Sequence, residues 1–338
     1  LKPQRPARLR AALVAAPITA LALVLAACGG PAAAEDPAPS PEPTAAETAA
    51  PEPTGPIVVE HVQGTVELDD VPQTVFSFDW GVTQVLLELG VPVTGVPSRN
   101  QTPPPFADLV AGEDVLDIGT LFEPDFELIA ASAPDLIVIA QRSAPQHDEL
   151  SRIAPTIDLT VDTADNIDAS KAQALTLGAI FGLEAEAQAL VDDLAASIED
   201  VKEAVADAGD ALIILTTGGG ITAFGPGGRF GLIHDELGFT AAAAIEHDGR
   251  HGQAISFEFL LETEPEWLFV IDRDSAIQND GEAARAVLDN GIVRRTQAYQ
   301  NNRIVYVDTT AWYMAGTGVV SLQQVMDGLL EIIENGHA

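Results

Sequence analysis

Short, unbroken apolar runs alternate with helical patterns in two separate series along this chain, and one long helical stripe divides the series. Leu136-Ile137-Val138-Ile139-Ala140, Leu212-Ile213-Ile214-Leu215 and Trp267-Leu268-Phe269-Val270-Ile271 offer no polar face, so a strand built from any of them must be covered on both sides. Strands of that kind, interleaved with helices, specify an α/β body with largely parallel sheets. In the first series Val75-Phe76-Ser77-Phe78 leads into a helical run from Val82 to Leu89 closed by Gly90, and Phe126 to Ser132 reads as a second helix. From Glu184 to Ala208 apolar residues fall at 187, 190, 191, 194, 198, 201 and 205, a helical stripe with acids opposite and Gly209 placed to end it. At about 1.5 Å per residue such a helix is long enough to reach across two lobes.

After that stripe the alternation restarts, with a helix near Gly231–Leu237, a last strand at Ile304-Val305-Tyr306-Val307 and a closing helix from Val319 to Asn335. Glu127…Ala133-Pro134-Asp135-Leu136 and Glu258…Glu264-Pro265-Glu266-Trp267 read as equivalent elements of the two halves. The expected fold class is therefore α/β, two α/β lobes joined by one long interlobe helix. The boundaries are 57–165 for the N-terminal lobe, 166–209 for a helical segment containing the interlobe helix, and 210–338 for the C-terminal lobe.

The first 56 residues belong to neither lobe. Lys2, Arg5, Arg8 and Arg10 precede an apolar stretch from Ala11 to Ala27, the composition of a signal peptide and too short for a spanning helix. Leu25-Ala26-Ala27-Cys28 resembles the bacterial lipobox, in which the cysteine becomes the lipidated first residue. Otherwise Cys28, the chain's single cysteine, is a buried or chance residue behind an ordinary signal peptide. Residues 31–55 hold seven prolines, eight alanines and five acids without one Ile, Leu, Val, Met or aromatic, too little apolar surface to offset the entropy of ordering. The expectation is a signal peptide over 1–27, a lipidated cysteine with a disordered linker over 28–56, and an extracytoplasmic protein anchored to the membrane through Cys28.

Net charge is −35 over the chain, and loss of residues 1–27 with their four cations and no acids makes it −39. That acidity excludes nucleic acid as a partner. Against it, three arginines stand where α/β sheets bind ligands, beyond the carboxyl ends of strands. Arg142 follows Leu136–Ala140, Arg273 follows Trp267–Ile271, and Arg229 lies in Gly225-Pro226-Gly227-Gly228-Arg229. A guanidinium fork suits clustered anionic oxygens; singly, each arginine reads equally well as a surface residue or the partner of a neighbouring acid. Arg152, Arg285, Arg294, Arg295 and Arg303 fall in polar contexts and read as solvated. His251 and Tyr313 form a second constellation, because imidazole nitrogen and phenolate oxygen are donors suited to Fe³⁺, although spacing alone leaves a capping histidine and a packing tyrosine open. His61, His147, His247 and His337 lie in polar contexts and His234 in a helical pattern. The sequence holds no Gly-x-Ser-x-Gly, His-Glu-x-x-His, Gly-Lys-Ser/Thr or cysteine pair, so a catalytic role has no footing.

Several motifs together carry a resemblance. Gly119-Thr120-Leu121-Phe122-Glu123-Pro124-Asp125-Phe126-Glu127, Gln141-Arg142-Ser143, Ile153-Ala154-Pro155-Thr156, Ala223-Phe224-Gly225-Pro226-Gly227-Gly228-Arg229-Phe230-Gly231, His251-Gly252-Gln253, Phe269-Val270-Ile271-Asp272-Arg273 and Trp312-Tyr313 are similar to the periplasmic siderophore-binding lipoproteins of ABC importers. The likeness is greatest to the catecholate and petrobactin branch, and it runs from about residue 57 to the end. Asp308-Thr309-Thr310-Ala311-Trp312 stands where relatives often have a Pro-Glu-Tyr run. The resemblance implies a class III binding protein, a monomer with a rigid helix between lobes, little closure, and the ligand in the cleft. It implies an arginine triad at Arg142, Arg229 and Arg273, iron ligands at His251 and Tyr313, and permease-docking acids at Glu127 and Glu258, which otherwise read as ordinary helix-start glutamates. No intrinsic cofactor follows from it; a ferric catecholate siderophore would be the ligand and the importer's permease the partner. A tetradentate bis-catecholate fills four of six iron positions, leaving two for the protein. Rival ligands are ferric citrate, a hydroxamate siderophore, haem or a cobalamin; a secreted α/β enzyme is the rival of another class.

Overall fold

The computed structural model describes residues 55–98, 102–162, 165–246, 251–277 and 283–335. Cys28, the segment 1–54, His247 and His337 lie outside the described residues.

The chain enters through an antiparallel hairpin of β1 (Ile57–His61) and β2 (Gly64–Leu68). The N-terminal lobe then builds one sheet from β3 (Val75–Ser77), β4 (Gly95–Val96), β5 (Leu116–Asp117), β6 (Leu136–Ile139) and β7 (Thr156–Asp158). Every pairing is parallel, in the order β5-β4-β3-β6-β7. The connections carry α1 (Trp80–Glu88), α2 (Ala107–Ala111), α3 (Phe126–Ser132) and α4 (His147–Leu150). Both β3 and β6 are buried along their whole length, as expected of strands covered on both faces.

Two helices follow, α5 (Asn166–Phe181) and α6 (Glu184–Val205). Along α6 the buried residues are Ala187, Val191, Leu194, Ile198, Val201 and Val205, a stripe alternating steps of four and three that lies on one helix face. Twenty-two residues make it about 33 Å long. The helix ends at Val205 rather than reaching Ala208. The chain has by then turned toward the next strand: the Ala208 carbonyl accepts from Trp267 Nε1 at 2.9 Å, and Gly209 takes φ +91 beside the Glu266 carboxylate.

The C-terminal lobe contains β8 (Asp210–Thr217), β9 (Gly220–Phe224), α7 (Leu232–Asp235), β10 (Thr240–Ala241), β11 (Gln253–Ile255), α8 (Phe257–Thr263), β12 (Trp267–Asp272), α9 (Arg273–Ala276), α10 (Ala284–Leu288), α11 (Gln297–Gln300) and β13 (Ile304–Tyr306), before α12 (Val319–Asn335) closes the chain. Its sheet runs β11-β9-β8-β12-β13, with β10 paired to the start of β8. The expectation of largely parallel sheets holds, since β10, β8, β12 and β13 pair in parallel; the exception is β9, which is antiparallel to both β8 and β11. Gly218 and Gly219, at φ +54 and +78, form the two-residue loop of a tight hairpin, and both central residues at positive φ give the turn whose twist matches the strands.

One hydrophobic cluster is continuous from Val75 and Leu136 in the first lobe, through Leu177, Leu194 and Ile198, to Ile213 and Phe269 in the second, with Leu322 and Met326 of α12 filling the seam. Lobes that share so large an apolar contact have little freedom to hinge. The crossing from β13 to α12 passes over the start of α1 at near-minimal distance. A Cβ at Gly81 would lie 2.8 Å from the Ala315 carbonyl oxygen, and one at Gly318 would lie 2.7 Å from the Gly81 oxygen. Only glycines permit this approach, and it carries the residues just before Ala315 in between the lobes. Among the described residues, no helix is long and apolar enough to cross a membrane.

Candidate functional site

The carboxyl ends of both sheets face a cavity of about 350 Å³ whose lining includes Asp79, Gln141, Arg142, Arg229, His251, Arg273 and Tyr313. Each arginine, one from the N-terminal lobe and two from the C-terminal lobe, is delivered by a different local device. After β6 the chain turns at Gln141, a non-glycine residue at φ +50. Gln141 N donates to Thr160 Oγ1 at 2.8 Å, Gln141 Nε2 donates to the Val161 carbonyl at 2.7 Å, and buried Ser143 donates to the Phe78 carbonyl at 3.0 Å. A backbone held in this region by its surroundings is common at functional sites, and here it aims Arg142 into the cavity. Arg229 sits on the loop after β9, where Gly227 at φ +70 donates to Asp235 Oδ2 at 2.8 Å. Arg273 opens α9, whose first turn is capped by Asp272.

All three guanidiniums converge on Tyr313. Arg142 Nη2 and Arg229 Nη2 donate to the Tyr313 carbonyl oxygen at 2.9 and 3.1 Å, and Arg273 Nε donates to the phenol oxygen at 3.0 Å. The Arg142 and Arg229 guanidiniums also stand 5.2 and 4.5 Å from the Tyr313 ring centre, within the range of cation–π attraction. Tyr313 belongs to a π-helical turn, Thr310–Met314, a rare geometry found mostly at functional sites.

The electrostatics follow from this crowding. Burial by itself raises the Tyr313 pKa. The Arg273 hydrogen bond and the fields of Arg142, Arg229 and Arg273 outweigh it, so the phenol lies below its ordinary value of 10.0. Asp79 is the one carboxylate among the described lining residues. Burial pushes its pKa up, against the backbone donors of Val82 and Gly81 and the field of Arg142, so its negative charge is disfavoured. Three cations facing one reluctant acid make a receptor for an anion. Among the described residues, no group of three or more His, Cys, Asp or Glu side chains is arranged to hold a metal ion.

Of the residues singled out in the sequence, Arg142, Arg229, Arg273, His251 and Tyr313 thus share one cavity, with His251 at its exposed edge. Glu127 and Glu258 do not line it. They are exposed in the first turns of α3 and α8. Each of these helices has seven residues, a side-chain cap (Asp125 or Ser256), and a left-handed end at Ala133 or Glu264, so the two acids occupy equivalent places on the two lobes. Arg285 is exposed, as expected, with its guanidinium 4.0 Å from the Tyr306 ring centre; Arg303, read as solvated, is instead partly buried, 5.0 Å from the Trp267 ring centre and paired with Glu266. His147 also departs from its polar context, with a ring centre 5.4 Å from that of His61 and only 15% of its side chain exposed. Asp79 escaped the sequence reading, although an aspartate between β3 and α1 is a capping signal.

Two α/β lobes with strand ends facing a shared cavity, held at a fixed spacing by a long helix, make the architecture that of a class III periplasmic binding protein. The chain belongs to the periplasmic binding protein family, whose model matches residues 75–311. It is 37% identical over 265 residues to the petrobactin-binding protein YclQ of Bacillus subtilis, covering 76% of this chain and 83% of the relative. The crystal structure of YclQ superposes with a TM-score of 0.78 over 82% of this chain and 99% of that one, at 35% identity. The ferric-anguibactin-binding protein FatB of Vibrio anguillarum is 30% identical over 281 residues, 82% of this chain and 87% of the relative. The periplasmic catecholate-siderophore binding protein VctP of Vibrio cholerae superposes with a TM-score of 0.75 at 30% identity, over 81% of this chain and 99% of that one.

Proposed function

We propose that this chain is the substrate-binding component of a ferric-siderophore ABC importer and takes an anionic iron(III)–catecholate complex into the interlobe cavity. The observation that carries the reading is the convergence of Arg142, Arg229 and Arg273 on Tyr313, with His251 in the same cavity. Guanidinium forks neutralise catecholate oxygens. A phenol already drawn toward phenolate and the His251 imidazole supply the two donors that a tetradentate bis-catecholate leaves unfilled on iron. The ion arrives as cargo with four donors of its own, so two protein donors suffice. The names of YclQ and VctP, a petrobactin binder and a catecholate binder, support the same ligand class.

The reading extends to the rest of the chain. Residues 1–27 direct export, Cys28 carries the lipid anchor, 28–56 form the tether, and the lobes span 57–165 and 210–338 with the helical segment 166–209 between them. Glu127 and Glu258 present one negative charge per lobe to the permease. Fluorescence titration of the purified protein with ferric petrobactin, a ferric linear bis-catecholamide, ferric citrate and a ferric trihydroxamate tests the ligand class. Tight binding of the first two alone is expected. Preference for citrate or hydroxamate overturns the catecholate assignment.

A further inference from the structure

The side chains behind Arg273 form a chain of hydrogen bonds that ends on a buried carboxylate. Arg273 Nη1 donates to Thr217 Oγ1 at 3.1 Å, the Thr217 hydroxyl donates to Asp274 Oδ1 at 3.3 Å, and Asp274 Oδ2 accepts from Gly218 N at 2.7 Å. Asp274 is 2% exposed, and its neighbour in sequence is the cavity arginine itself. We infer that Thr217 and Asp274 are positioning residues for the ligand site, acting through Arg273; the inference rests on the cavity being that site.

The direction of each bond makes the case. A threonine hydroxyl has one proton and two lone pairs, and a carboxylate only accepts. With its proton committed to Asp274, Thr217 can meet Arg273 only as an acceptor, which selects one orientation of the guanidinium plane. In that orientation Nη1 is held by the sheet and Nε points at the Tyr313 phenol. The anchor is equally specific. Gly218 N reaches Asp274 because the β8–β9 turn places both Gly218 and Gly219 at positive φ. The hairpin that departs from the parallel sheet therefore also sets the C-terminal lobe's half of the cavity. Arg142 and Arg229 meet the Tyr313 main chain, and Arg273 is tied by this relay to its own lobe before any ligand arrives. Order of this kind lowers the entropy lost on binding, and groups behind a binding residue commonly set its effectiveness.

The test has one arm without ligand and one with it. In the ligand-free protein the Arg273 Nε–H signal, assigned by its loss in Arg273→Lys, is followed by nitrogen-15 NMR. Thr217→Val keeps the side-chain shape and removes the hydroxyl, so solvent exchange of that proton should rise about tenfold; Thr217→Ser should retain the native rate. Affinity for the ferric bis-catecholamide should fall about tenfold in Thr217→Val and return in Thr217→Ser. Asp274→Asn should match Thr217→Val, and if it does not fold, the threonine pair decides. Exchange in Thr217→Val within twofold of the parent, or an unchanged affinity, overturns the inference. A parent protein that binds no ferric catecholate refutes the proposed function instead, and the exchange arm then still judges the relay.

Discussion

Tyr313→Phe separates metal coordination from charge recognition, because the structure shows how little else the substitution removes. The two bonds from Arg142 and Arg229 go to the main-chain carbonyl, so both survive the loss of the hydroxyl. The ring on which those guanidiniums rest survives too. What disappears is the phenol oxygen, and with it the acceptor for Arg273 Nε. For a hexadentate tris-catecholate, which leaves no open position on iron, the only cost is that orphaned donor. Loss of a partner costs about 1–3 kcal/mol, and a cavity open to water favours the low end, about 1 kcal/mol or roughly fivefold in Kd. Under the proposed coordination a tetradentate bis-catecholate loses an iron ligand as well, so its affinity should fall at least ten times further. His251→Ala, at the exposed edge of the cavity, should leave the hexadentate complex within about twofold and weaken the tetradentate one. Arg142→Ala, Arg229→Ala and Arg273→Ala should weaken both ligands alike, by about 2–5 kcal/mol each for a truncated charged contact. The assay is a quenching titration of the five variants against one ligand of each denticity, with the visible charge-transfer band as a second readout. Equal losses for both ligands in Tyr313→Phe and His251→Ala, or an unshifted band in Tyr313→Phe, would refute coordination by these residues.

Three further outcomes are expected. Cys28→Ser should move the protein from the membrane fraction to the soluble one with its ligand affinity intact; retention through washing would refute the lipid anchor. Glu127→Ala and Glu258→Ala should leave affinity unchanged while reducing ligand-dependent stimulation of the importer's ATPase, since exposed rim charges govern docking, and unchanged stimulation would make both acids bystanders. Burial, reinforced by the field of His147 and opposed by that of Asp158, holds His61 below its ordinary pKa of 6.5, so the unfolded chain binds more protons there. Its contribution to stability is therefore complete above pH 6.5 and lost as pH falls through that value toward the folded pKa. His61→Gln should flatten the fall in melting temperature between pH 7.5 and 5, and an unchanged slope would exclude His61 as its source.

The α/β class, the continuously apolar strands and the long helix face were legible because they depend on local periodicity, whereas the more polar strands β1, β2, β9 and β11 were not. Leu136–Ile139 could only be a strand covered on both sides, and the stripe from Ala187 to Val205 could only be one face of a long helix. The three arginines stood out for a related reason: in a chain with thirteen arginines and 51 acids, cations directly after buried strands are conspicuous, and strand ends are where such folds bind ligands. The β8–β9 hairpin could have been read from Thr217-Gly218-Gly219-Gly220, since paired glycines between strand-like runs favour that turn. Its role in holding Arg273 could not, because that depends on a contact across 57 residues between Thr217 and Asp274.

What the sequence by itself determined about this protein was therefore a partial inventory: which apolar runs are buried strands, which helix is long enough to join two lobes, and which side chains could serve an anion or an iron centre. Only the tertiary structure decided that Tyr313 is the point on which Arg142, Arg229 and Arg273 converge, and that Asp79 shares their cavity with its charge disfavoured. The reason is physical. Periodicity reports the environment of a residue relative to its own helix or strand, whereas the site is assembled by the close passage of Gly81 against Gly318 and by a core continuous through both lobes. Those contacts join residues more than two hundred positions apart, and no local pattern encodes them.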